Sequence, residues 1–150
     1  MFITRGNLAR IIAATMLVGL AGCSSGDFPV APTRGQVICE GQPVPRARVF
    51  FEPLETGKSA IVGKQGLATA DQNGKFVIST YGENDGAVIG KHRVRVDRPF
   101  DPDEKPPFKC NCVLNSEVNV MEVEVKKGVT NEFQVVLKKR TAQDPKPLAD

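Results

Sequence analysis

The stretch Arg46-Ala47-Arg48-Val49-Phe50-Phe51 sets Ala47, Val49 and Phe51 in alternation with Arg46, Arg48 and Phe50, which places the first three on one face of an extended strand. The same period of two runs outward in both directions. Upstream, Gly35, Val37 and Cys39 share a phase; downstream, Phe76, Ile78 and Thr80 do so, and His92, Val94 and Val96 alternate with Lys91, Arg93 and Arg95. Near the C-terminus Phe133, Val135 and Leu137 alternate with Glu132, Gln134 and Lys138. In Val118, Val120, Val123 and Val125 the phase changes at Met121-Glu122, where a bulge restores it. Asn73-Gly74 is expected to supply the positive φ values of a tight hairpin, and Gly41-Gln42-Pro43 to turn the chain between the first two strands. No segment of 10 or more residues outside the leader carries a helical stripe. The pattern predicts an all-β, antiparallel β-sandwich of about seven strands over residues 34–140. Its expected core is Val37, Ala47, Val49, Phe51, Phe76, Ile78, Val94, Val96, Phe133, Val135 and Leu137.

At 150 residues, 41% hydrophobic and 25% charged, the chain has the length and balance of one globular domain. Its formal charge of +3 falls to +1 once Arg5 and Arg10 are removed with the leader, which leaves no case for nucleic acid as a partner. There is one His, one Tyr and no Trp. Imidazole catalysis would have to run through His92 alone. Composition therefore favours a binding or structural module over an enzyme.

Residues 1–22 have the three parts of a secretory signal: Arg5 and Arg10 without an acid, the apolar run Ile11 to Leu20, and small residues up to Cys23. The apolar run is too short to remain as a spanning helix. Leu20-Ala21-Gly22-Cys23 resembles the lipobox of bacterial lipoproteins. That resemblance implies a helical signal peptide over 1–22, lipidation of Cys23 with fatty acyl chains including palmitate, and attachment to the cell envelope through the lipid. Ser24 in place of Asp implies the outer membrane. Residues 23–33 then read as a lipid-anchored tether and 141–150 as a disordered tail.

The blocks Gly35-Gln36-Val37, Gly41-Gln42-Pro43-Val44, Ala70-Asp71-Gln72-Asn73-Gly74-Lys75-Phe76 and Asp85-Gly86-Ala87 through Val96 together resemble carboxypeptidase regulatory-like domains. Such domains have a transthyretin-like sandwich and commonly serve as accessory modules. Ala70 and His92 stand where that family usually has Thr and Tyr. The hydroxyisourate hydrolases of the same fold need several His and a C-terminal Tyr-Arg-Gly-Ser, both missing here.

Candidate chemistry is sparse. His92 on a strand reads as a half-buried packing residue, not a catalyst. Asp101, Asp103 and Glu104 fall in a Pro-rich loop, and Asp71-x-Asn73-Gly74 and Glu83-Asn84-Asp85 suit turns better than a calcium site. Lys91, Arg93 and Arg95 form an outward basic strip, which reads first as the solvated side of a strand and second as a contact for anionic lipid headgroups near the anchor. Cys39, Cys110 and Cys112 remain once Cys23 is acylated. A disulfide from Cys39 to Cys110 or Cys112 suits an oxidising compartment, and the alternative is a metal- or redox-handling role for Cys110 and Cys112. No catalytic residue, metal or cofactor is assigned. The expected partners are the membrane, through the lipid on Cys23, and an envelope protein or glycan.

Overall fold

The computed structural model describes residues 28–54, 62–98, 111–115 and 117–144. The leader, Cys23, Cys110 and the acids at 101–104 lie outside them. Ten strands follow in order: β1 (Val30–Ala31), β2 (Thr33–Cys39), β3 (Gln42–Pro43), β4 (Arg48–Pro53), β5 (Gly66–Thr69), β6 (Lys75–Val77), β7 (Ala87–Val88), β8 (Gly90–Asp97), β9 (Asn119–Val125) and β10 (Asn131–Val136). Seven of them exceed two residues, and the described residues contain no helix.

Two four-stranded sheets form the sandwich. In the first, β2 is central, with β10 on one side and β3 and β6 sharing the other; the second runs β5-β4-β8-β9. β1 pairs with β7 as a short ribbon. The sheets meet at Phe51, whose ring centroid is 6.2 Å from that of Phe76 and 5.7 Å from that of Phe133. Val37, Val49, Ile78, Val94, Val96 and Val135 fill the space around it, none of them measurably exposed. Of the expected core only Phe133 is half-buried, packed at the margin of the cluster. At the contact between layers Gly35 admits no side chain. A Cβ there would lie 2.7 Å from the Phe76 ring and collide with the Phe133 carbonyl.

Several local expectations need correction. Within a largely antiparallel architecture, β2 and β10 are parallel, Thr33 opposite Asn131 through Ile38 opposite Val136. The first hairpin turns at Glu40-Gly41, with φ of 48° and 81°, and Gln42 and Pro43 already belong to the returning strand. Two positive φ values in a two-residue loop match the right-handed strand twist, and Glu40 accepts the cost a non-glycine residue pays there. At the second turn only Gly74 has positive φ (71°); Asn73 does not. That turn is closed by the Gly74 N–H to the Asp71 carbonyl (3.0 Å), and it carries the chain from the second sheet to the first. The bulge on β9 falls at Val120, because Val94 faces Met121 while the next residue, Arg95, faces Asn119. Finally, the fold begins before residue 34. Ala31 and Thr33 are buried, and the Phe28 ring lies against Gly63, where a Cβ would come within 3.0 Å of it.

Candidate functional site

Alternation along β2 turns Arg34 and Gln36 away from the core. Parallel register sets Glu132 and Gln134 of β10 beside them, and antiparallel register sets Lys75 and Val77 of β6 on the other flank. An open groove of about 710 Å³ lies on this face, with Thr69 and Asn84 also among its lining residues. Arg34 grips Glu132 with two donors, Nε at 2.7 Å and Nη2 in closer contact. Gln36 Nε2 donates to the Asn73 carbonyl at 2.9 Å. Charged and amide side chains line the groove together with exposed Val77. Such a surface can hydrogen-bond an extended polar ligand. It contains no nucleophile paired with a base.

His92 lies elsewhere. It is completely buried, deeper than the half-buried strand position expected, with its ring 5.8 Å from that of Phe51. Nε2 bonds the Val88 carbonyl at 2.6 Å, while Nδ1 has no partner at hydrogen-bonding geometry among the described residues. Burial pushes the imidazole below its ordinary value, and the carbonyls of Val88 and Phe51 oppose that only in part. His92 is a neutral core residue.

The two acidic turns are occupied by their own backbones. Asp71 Oδ1 accepts the N–H groups of Asn73 (2.7 Å) and Lys75 (2.9 Å). The Asp85 carboxylate accepts those of Thr80 (2.7 Å), Tyr81 (3.0 Å) and Gly82 (2.8 Å). Partial burial raises the Asp85 pKa, but the donors from Thr80, Gly82 and Tyr81 outweigh it and hold the carboxyl below the usual range. Among the described residues no three His, Cys, Asp or Glu side chains gather at metal-binding distance.

The basic strip is neutralised in place. Glu52 lies 3.2 Å from Arg95 and 3.8 Å from Arg93, and β9 sets Glu122 opposite Arg93 and Glu124 opposite Lys91. Cys39 is inward-facing and bonded to Cys112, with Cα atoms 6.0 Å apart, inside the range a disulfide spans. The bridge ties the end of β2 to a segment held by the pairing of Cys112 with Lys139.

Two features had no signal in the sequence. The groove joins residues nearly a hundred positions apart, because β2 and β10 pair in parallel. Asn131, a single polar residue at the start of a strand, organises the β9–β10 turn with its side-chain amide. Compared with known proteins, the chain matches no protein-family model, no curated protein and no solved structure.

Proposed function

We propose that this is a non-enzymatic, lipid-anchored protein of the bacterial cell envelope, whose sandwich binds a protein or glycan through the groove over β2, β6 and β10. The anchor rests on the leader and Leu20-Ala21-Gly22-Cys23, and the order of the turn blocks keeps a carboxypeptidase regulatory-like module as the working family. The observation that carries the non-catalytic reading is the position of His92. The chain's one imidazole is enclosed in the core with Nε2 committed to Val88, so it cannot meet a substrate. Cys112, bonded to Cys39, is no longer the free thiolate that the metal-handling alternative needs. The groove, by contrast, offers convergent donors and acceptors from three strands.

Photo-crosslinking in intact cells tests this. A photoreactive residue at Gln36, inside the groove, is expected to yield discrete adducts that Arg34→Ala abolishes. The same residue at exposed Gln143 should yield none. Absence of adducts at both positions would remove the groove as a binding surface.

A further inference from the structure

We propose that the β9–β10 turn, Lys126 to Thr130, is the surface by which the sandwich rests on anionic lipid headgroups, which fixes the orientation of the domain on the membrane. The inference rests on the lipid-anchored reading of Cys23 and adds to it a contact made by the folded domain itself.

The first described residue, Phe28, lies against Gly63, and only Ser24, Ser25, Gly26 and Asp27 separate it from Cys23. Five Cα steps span at most about 18 Å, so the end of the sandwich where the chain enters stays close to the lipid.

Because β2 and β10 are parallel, their first residues lie side by side, Thr33 opposite Asn131, and the turn preceding β10 sits at the same end as the tether. Asn131 fastens it there. Its backbone N–H donates to the Pro32 carbonyl at 2.8 Å. Its side-chain Nδ2 reaches the carbonyls of Pro32 (3.3 Å), Lys126 (3.1 Å) and Val129 (3.3 Å), and its Oδ1 accepts the Lys126 N–H (2.8 Å). The turn cannot swing away from the point where the tether leaves. The disulfide and the Glu40-Gly41 hairpin lie at the other end of β2.

Lys126, Lys127, Gly128, Val129 and Thr130 are all exposed, and Val129 keeps 51% of its surface in solvent. An apolar tip beside two lysines and no acid suits the boundary of an anionic bilayer, where cations meet phosphates and a small apolar group enters the headgroup layer. The strip Lys91, Arg93 and Arg95, read from the sequence as a solvated strand face with lipid contact only as an alternative, is matched by Glu52, Glu122 and Glu124. Among the described residues no acid forms an ion pair with Lys126 or Lys127.

The chain has no Trp, so Val129→Trp introduces a single reporter. The full acylated protein carrying V129W is reconstituted into phosphatidylethanolamine–phosphatidylglycerol vesicles with brominated acyl chains, beside Gln42→Trp at the opposite end. The V129W indole is expected to shift to the blue and lose most of its emission, while Q42W keeps its own. Adding Lys126→Gln and Lys127→Gln should restore the V129W emission. Protein that floats with the vesicles while V129W and Q42W are quenched alike overturns the orientation and leaves the anchor standing. Protein that neither floats nor carries an acyl mass overturns both.

Discussion

Cys39 and Cys112, 73 residues apart in sequence, are joined at the end of the sandwich opposite the tether. The bond clamps the last residue of β2 to the segment that pairs with Lys139, so that β2 and the strand end following β10 close around it. Cross-linking a loop of that length restricts the unfolded chain by about 4 kcal/mol on the chain-entropy account. Cys112→Ser, or full reduction, should therefore lower the thermal midpoint by roughly 10 °C or more, and reductant should have no further effect on the variant. A midpoint unchanged by reduction would show that the bond does not form in the protein.

Asn131→Ala should destabilise the domain by about 2 kcal/mol, because one buried amide satisfies the Lys126 N–H and three carbonyls. Urea unfolding followed by the signal of the single Tyr checks it. Substitution of the adjacent exposed Thr130 should fall within about 0.5 kcal/mol of the parent.

The core was legible because a sandwich buries alternate residues, and that period survives in Val37, Val49, Phe51, Val94, Val96 and Val135 whatever their partners are. Pairing was not legible. The parallel register of Thr33 with Asn131 spans most of the domain, and nothing local to either residue encodes it. β1 and β7, at two residues each, are too short to show a period. Glu40, Arg46 and Asn84 adopt positive φ where the sequence directs attention to glycine, and the first turn accordingly lies at Glu40-Gly41, one residue ahead of the Gly41-Gln42-Pro43 signal. The expected groups of chemistry resolved into structure: Asp71 and Asp85 serve backbone N–H groups, and His92 went deeper into the core than a strand position alone implies. The groove stayed hidden because it depends on the pairing.

His92 should make stability fall with acid. Its pKa is lowered in the folded state from an ordinary value of 6.5, so the unfolded chain takes up the proton first and unfolding gains protons as pH drops. The contribution is fully present above about pH 6.5 and is lost as pH falls toward the depressed folded value. Asp85, also lowered, adds a second loss below the ordinary carboxylate value of 3.8. Denaturation midpoints measured from pH 7.5 to 5 should decline for the parent and much less for His92→Gln. Equal slopes would contradict the buried neutral imidazole.

Arg34→Ala should leave the fold intact. The Arg34–Glu132 pair is more than half exposed on both sides, and such pairs contribute under about 1 kcal/mol. An unchanged unfolding midpoint, together with loss of the adducts formed from position 36, separates a binding role from a structural one.

The most direct test of the account is the mass of the N-terminal peptide from protein extracted out of the envelope fraction. The expected result is a chain beginning at Cys23 and carrying fatty acyl groups, released from membranes only by detergent, with Cys23→Ser soluble and unchanged in thermal midpoint. A soluble wild-type protein whose N-terminal peptide bears no acyl mass would contradict the lipid anchor and, with it, the envelope role proposed for this sandwich.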